Sequence, residues 1–565
     1  MNYPLLLKSL KTKNRFKSRY NMNRKATSLL VGMLGVGLSL QAQMNPKYKF
    51  EEALKLIQQN YVDQVNEEHL VDAAIRAMIS DLDPHSRYTS REEAEQMNVA
   101  MSGSFAGIGI QFLKDNEQTF VSKVNADGPA MRAGLRVGDQ ILRIDGESID
   151  GEKWGNREIM EKLRGEKDVP VVLTIISPGS KESKEISIIR ENILERSVRE
   201  SYMVDNQIGY ISLSIFNQTT RQEIDAALKS LKDQGMKKLI LDLQSNGGGY
   251  VQSAIGVADE FLPKEKIVFY SVPNQGGKDY YFTGGYGQFY DGELVVLIDE
   301  STASASEIVT GALQDWDRAV VIGRRSFGKG LMQKPVPLSD GSQMQLTGAR
   351  YYTPSGRSIQ KPYTKGKEDY FQDFNRRMAS KELLEEGHIS FPDSLKYSTL
   401  GNKRTVYGGG GIMPDRFVPI DTNEYSTWMA QLMNNGIVAK GGIEFVQQNR
   451  TALLSAYPNF DAFNSRFKVP KEVHRQLVAG AHKRSIAIPP ESHLDAHDAI
   501  DIEFKAQVAS LLYTGGDYMA RVRNESNKSF REALLVLRDD KLYKQLLQTN
   551  IVGQSVKKGV AKVSK

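Results

Sequence analysis

Cysteine is absent from the 565-residue chain. Its absence removes disulfides, thiolate metal ligands, a cysteine nucleophile and the lipid-bearing cysteine of a lipoprotein. Stability must come from buried apolar surface, and 40% apolar content over this length supports two to four domains. Acidic residues are missing from positions 1–25, which hold eight Lys and Arg. An uncharged apolar run from Leu29 to Leu40 follows, then Gln41, Ala42 and Gln43. The run is too short to cross a bilayer, which takes about 20 helical residues, so no stable membrane anchor is expected. The layout is that of a secretory signal peptide, and Arg24 with Lys25 would serve a start at Met22 equally well. Cleavage near Ala42 or Gln43 removes all eight charges and takes the net charge from +6 to 6 − 8 = −2. The basicity is therefore a targeting feature, and a nucleic-acid partner is not expected.

Apolar residues recur at helical spacing after Pro46: Leu54, Ile57 and Tyr61, then Leu70, Ala74, Met78 and Leu82, up to a break at Asp83-Pro84. Strand-like stretches follow at 108–113, 120–124, 140–144 and 171–176. From Ile208, strands at 208–213, 239–243, 294–298 and 319–322 alternate with helices, one of them starting at Ala305. That alternation predicts an α/β core with its site at the carboxyl ends of strands. Residues 361–407 read as an insertion and 421–565 as a helical region.

Ser301-Thr302-Ala303-Ser304-Ala305-Ser306-Glu307 links a buried strand to an apolar helix. A serine there meets converging N–H groups that would stabilise an oxyanion, although Ser304 and Glu307 also have the spacing of a capping box. Ser326-Phe327-Gly328-Lys329-Gly330 lies at the end of the next strand. A lysine can activate a hydroxyl only when burial leaves its amine neutral. Alone, Gly-Lys-Gly usually marks a solvated turn or a phosphate contact, but no Walker-type spacing surrounds it.

The run Ser304–Arg318, Phe327-Gly328-Lys329-Gly330, Gln333, Leu338-Ser339-Asp340-Gly341 and 349–357 (ARYYTPSGR) resembles the carboxyl-terminal processing peptidases, or tail-specific proteases, over roughly residues 46–420. The resemblance implies Ser304 as nucleophile, Lys329 as general base and Gln333 as the side chain orienting the lysine. It implies the backbone N–H groups of Gly248 and Ala305 as oxyanion donors, with one departure, Gly247 where the family usually has proline. Asp315 matches an aspartate some members use, yet 11 helical residues beyond Ser304 is ~16 Å, so a structural role is expected. His85, in Leu82-Asp83-Pro84-His85-Ser86, matches a segment outside the catalytic core and reads as structural.

Ser104–Ile110, Gly128-Pro129-Ala130, Ala133-Gly134-Leu135, Val137-Gly138-Asp139 and Ile144-Asp145-Gly146 resemble a PDZ domain. Gly107, Ile108, Gly109 and Ile110 would form its loop for a peptide's terminal carboxylate, with Ile108 and Ile110 as apolar groove positions. His493 and His497 are four apart but suggest no third ligand, so no metal and no cofactor is expected.

The resemblance thus implies an α/β, crotonase/Clp-protease-like peptidase core with an inserted PDZ-like domain and helical N- and C-terminal regions. The expected divisions are 1–43 signal peptide, 44–100 helical segment, 101–190 PDZ-like domain, 191–420 serine peptidase core and 421–565 C-terminal helical region. The implied function is an exported endopeptidase, periplasmic or secreted, that reads exposed C-terminal tails of protein substrates. An adaptor or a second copy of the chain is a further candidate partner. The rival readings are a locked PDZ scaffold and a crotonase-like thioester enzyme.

Overall fold

The computed structural model describes residues 46–115, 118–125, 128–151, 153–389, 391–421, 427–486, 495–513 and 517–548. The expectations at Met22, Ala42, Gln43 and His493, and for the side chain of His497, lie outside them. Two compact units divide between Met78 and Ile79. The first contains α1 (Pro46–Asn60) and most of α2 (Glu67–Ser80), the helices that the apolar spacing predicts. Glu67 and Glu68 open α2, where negative charge complements the helix N-terminus.

The second unit begins with β1 (Arg87–Thr89) and α3 (Arg91–Ser102). Ser90 caps α3 by a reciprocal exchange with Glu93, and Gly103, at φ 77°, ends it in the left-handed conformation. Next come β2 (Ser104–Gly107), β3 (Ile110–Asp115), β4 (Gln118–Val124), α4 (Pro129–Arg132), β5 (Gln140–Ile144) and β6 (Glu147–Ser148). Then follow α5 (Asn156–Leu163), β7 (Pro170–Ile176), β8 (Ser183–Ile189) and β9 (Glu191–Leu194). The antiparallel sheet runs β3-β4-β5-β7-β8, with β6 on β5. Val171, Leu173 and Ile175 alternate into its core, the period-2 pattern of a half-buried strand. Pairing of β2 with β9 brings the two ends of this domain side by side, as an inserted module requires.

From Val198 strands and helices alternate: β10 (Val198–Met203), β11 (Ile208–Leu213), α6 (Thr220–Asp233), β12 (Lys238–Asp242) and α7 (Val251–Asp259). They continue as β13 (Ile267–Pro273), β14 (Asp279–Phe282), β15 (Glu293–Ile298), α8 (Ala305–Asp315), β16 (Val320–Gly323), β17 (Leu331–Pro337) and β18 (Gln343–Tyr352). The 361–407 segment carries α9 (Lys367–Phe371), α10 (Asp373–Ala379) and the hairpin β19 (Lys396–Ser398)–β20 (Thr405–Tyr407), and β21 (Arg416–Phe417) follows. The central sheet has the order β10-β11-β12-β15-β16-β21 and is parallel from β11 onward. A second sheet, β1-β18-β13-β14 with β17 on β18, lies at the site.

Parallel strands need both faces covered, which is why Leu239–Leu241 and Leu294–Ile298 read as unbroken apolar runs. Ile224, Leu228, Ala254, Val257, Ile308 and Val309 from α6, α7 and α8 cover one face. The other is closed from the C-terminal end of the chain. There the helices are α11 (Thr427–Asn434), α12 (Ile437–Ala456), α13 (Phe460–Arg466), α14 (Lys471–His482), α15 (Asp495–Leu512), α16 (Tyr518–Ser526), α17 (Lys528–Arg538) and α18 (Asp540–Gln548). Phe530, Val536, Leu537, Tyr543 and Leu546 of α17 and α18 lie over Tyr210, Ile240, Val295 and Leu297. Trp428, Phe463, Phe504 and Val508 instead share a separate core among the preceding helices. The region read from sequence as one helical unit therefore has two parts, the second a layer of the peptidase core.

Candidate active site

The turn after β15 is tied to the loop after β12 before it reaches Ser304. Asp299 accepts the N–H groups of Ser301 (2.9 Å) and Thr302 (3.0 Å) on one oxygen and of Ser245 (2.9 Å) on the other. Ala303 N–H and the Ser306 hydroxyl both donate to Asn246 O at 3.0 Å. The chain enters α8 through Ser304 at φ 56°, ψ −114°. A positive φ outside glycine is strained, on the order of 1–3 kcal/mol, and persists only where neighbours enforce it. The capping-box spacing materialises in its glutamate half: Ser304 N–H donates to Glu307 Oε2 at 2.8 Å, while the serine makes no side-chain cap hydrogen bond.

Glu307 does more than cap. It is fully buried, and it also accepts Lys329 N–H (2.9 Å) on Oε2, with Gly328 N–H (2.7 Å) and the Ser326 hydroxyl (2.5 Å) on Oε1. One carboxylate thus fixes the turns of both Ser304 and Lys329. Tyr351 OH adds a second bridge, lying 3.1 Å from Ser304 O and 2.8 Å from Lys329 O. Gln360 Oε1 takes Gly330 N–H at 2.8 Å, and Lys361 N–H donates to Gly328 O at 3.0 Å. Gly328 has φ 88°, and a Cβ there would sit 3.0 Å from Gly411 N, so both conformation and space require glycine.

Burial holds the Lys329 ammonium below the ordinary lysine value, and nearby Arg87 acts in the same direction, outweighing Glu307 and Asp83. Burial likewise raises Glu307. Gln333 follows a bulge in β17 and donates Nε2–H to Thr347 Oγ1 at 3.3 Å. The Asp83–Ser86 turn, expected to lie outside the catalytic core, packs against this corner through Thr347 N–H to Ser86 Oγ (3.0 Å). His85 Nε2 lies 2.8 Å from Tyr370 OH, and burial, with Lys329 nearby, lowers its pKa to about 4.

Gly248 packs on Ser304: at its φ of 99°, an added Cβ would be 2.8 Å from Ser304 Cβ and from Ala305 N. Its N–H, however, donates to Asn246 Oδ1 at 2.8 Å. Ala305 N–H has no hydrogen-bond acceptor among the described residues. Asp315 is committed to structure, pairing with the fully buried Arg357 at 2.7 Å and accepting Ser355 N–H at 2.9 Å. In the PDZ-like domain the N–H groups of Ile108 and Gly109 donate to nothing among the described residues, and Gly109 has φ 76°. The Ile108 side chain is 2% exposed in that domain's core, whereas Ile110 is half-buried.

The family model for peptidase family S41 matches residues 207–368, and that for PDZ domains matches 96–176. The N-terminal domain of the activating protease CtpB matches 16–93, and a family of unknown function matches 428–515. A carboxy-terminal-processing protease of Bartonella bacilliformis is 38% identical over 318 residues, 55% of this chain and 72% of that protein. A probable CtpA-like serine protease of Staphylococcus aureus is 36% identical over 331 residues, 58% of this chain and 64% of that one. Among solved structures, the photosystem II D1 C-terminal processing protease is 30% identical, covering 55% of this chain and 89% of its own at a TM-score of 0.33. With its S41 core and PDZ domain, the chain belongs to the carboxy-terminal-processing proteases and is a serine-type peptidase.

Proposed function

We propose that the chain is an exported endopeptidase that holds the C-terminal tail of a protein substrate in its PDZ domain and cleaves through an acyl-enzyme on Ser304. Lys329, as a neutral amine, takes the proton of the Ser304 hydroxyl as it attacks the scissile carbonyl and returns it to the leaving amine. Water then attacks the ester by the same route. Ala305 N–H and Gly248 N–H, once the latter turns from Asn246, receive the oxyanion. The unengaged N–H groups of Ile108 and Gly109 suit a terminal carboxylate, which gains charge-assisted bonds that an internal peptide cannot offer. The basic leader at residues 1–25 supports export, and among the described residues no helix is long and apolar enough to cross a membrane.

The observation that carries this reading is the shared anchorage of the Ser304 and Lys329 turns on the buried Glu307 carboxylate. The test is a peptide with an apolar tail, incubated with wild type, Ser304→Ala and Lys329→Ala, each with free and amidated termini. Both variants should lose turnover while staying folded, and amidation should weaken cleavage by wild type alone. Substantial cleavage by purified Lys329→Ala would remove the lysine from the mechanism, and indifference to amidation would remove tail reading. Binding of the free tail without cleavage by wild type would favour the locked scaffold.

A further inference from the structure

Gln333 has two faces, and the structure accounts for one of them. Its Nε2–H donates to Thr347 Oγ1 at 3.3 Å, which leaves the carbonyl Oε1 to face elsewhere. Behind Thr347 lies Ser86, 1% exposed, with the two hydroxyl oxygens 3.4 Å apart and Thr347 N–H donating to Ser86 Oγ at 3.0 Å. Behind Ser86 lies Asp83: the serine hydroxyl is 2.5 Å from Asp83 Oδ2, and Asp83 Oδ1 accepts the N–H groups of His85 (2.8 Å) and Ser86 (2.9 Å). The turn is held in register because β1, which begins at Arg87, pairs antiparallel with β18, Arg87 opposite Gln345.

A hydroxyl has one proton, and a carboxylate that keeps its charge can only accept. The His85 and Ser86 N–H groups and the Ser86 hydroxyl converge on Asp83, the Thr347 hydroxyl also reaches it, and together they outweigh its partial burial and hold its pKa below the ordinary aspartate value. Ser86 therefore gives its proton to Asp83. The Thr347 hydroxyl proton turns to that same side, toward Ser86 Oγ and Asp83, and Thr347 Oγ1 accepts from Gln333. An amide whose N–H₂ end is fixed by an acceptor presents its oxygen at the other end. A neutral lysine needs such an oxygen: an N–H of the amine donates to it, so that the lone pair points at the serine hydroxyl.

We infer that Asp83, Ser86 and Thr347 form a polarised hydrogen-bond relay that sets the orientation of the Gln333 amide, making Ser86 and Thr347 positioning residues for the peptidase reaction. The inference rests on the role that the family resemblance implies for Gln333, the side chain orienting Lys329. It assigns a function to the Asp83–Ser86 turn, in which the sequence predicts a structural role for His85.

The full-length protein carrying Thr347→Val keeps the side-chain shape and loses the hydroxyl. With the apolar-tailed peptide, kcat should fall about tenfold, the scale of a small misalignment of reacting groups, while KM and the thermal midpoint hold. Thr347→Ser should restore kcat. Gln333→Ala should lower kcat as well, and adding Thr347→Val to it should cost nothing more, because the two act in series. Ser86→Ala should resemble Thr347→Val. If Gln333→Ala is harmless, the parent assignment of Gln333 falls. If Gln333→Ala impairs the enzyme but Thr347→Val does not, or the two losses multiply, the relay is wrong and the parent assignment stands. A Thr347→Val loss that serine does not rescue also overturns the relay.

Discussion

Lys329 carries opposite demands, since the burial that would suit it to the proposed role of base also opposes folding. Its native pKa is held below the unfolded value by desolvation and by Arg87. Between the two values the unfolded chain binds the extra proton, so the penalty is full below the native pKa and is relieved as pH rises toward about 10.5. Lys329→Met should therefore raise the thermal midpoint at pH 7, with a gap that narrows at alkaline pH. Calorimetry across pH 7–10 checks this, and a midpoint that falls at pH 7 would mean the ammonium is paired rather than isolated. Over the same range wild-type peptidase activity should climb with pH as the neutral amine accumulates, a trend that a histidine base near pH 6.5 would not give.

At the scale of elements, the site is a joint between α8, the turn ahead of β17 and β18, with Glu307 as its common acceptor. Glu307→Gln keeps the shape but replaces one accepting oxygen with an N–H₂ group facing N–H donors. Two or more charge-assisted bonds are lost, at about 1.5–3 kcal/mol each, and a donor clash is added. Turnover should drop sharply and the urea midpoint with it, whereas Tyr351→Phe, which removes a neutral bridge, should cost about 1 kcal/mol. Equal stability losses in the two variants would mean that the carboxylate is not the joint's main support.

The same joint shows what a sequence discloses. Ser304 and Lys329 lie in short local patterns, a strand-to-helix turn and a glycine-flanked lysine, which are legible one residue at a time. Glu307 was legible only as a cap, because its other donors stand 19 to 22 residues on, brought back by β16. Thr347 is 261 positions from Ser86, and no periodicity announces that pairing.

For the molecule as a whole, the unexpected architecture is at the C-terminal end. The sequence reads 421–565 as helical, yet a helical reading names no partner, and the partner of Lys528–Gln548 is the far face of the peptidase sheet. A chain ending before Lys528 should uncover Tyr210, Val295, Leu297 and Val320, while also losing Tyr543 OH at Leu294 N–H (3.0 Å) and Lys238 at Leu537 O (2.6 Å). Such a protein should bind a hydrophobic dye and lose cooperative unfolding, although Ser304, Lys329 and Gln333 are all retained. A truncated chain that melts cooperatively and cleaves peptide would show the layer to be dispensable.

That layer also bears on the order in which the core closes. The strand bearing Tyr210 leaves the ribosome some 320 residues before Phe530, the side chain that covers it at a ring separation of 5.5 Å. Pairings of such sequence separation form late, since the loop must close before the contact repays it. By leaving one wall of its sheet to helices so far along the chain, this protein makes that wall one of the last parts of the peptidase core to close.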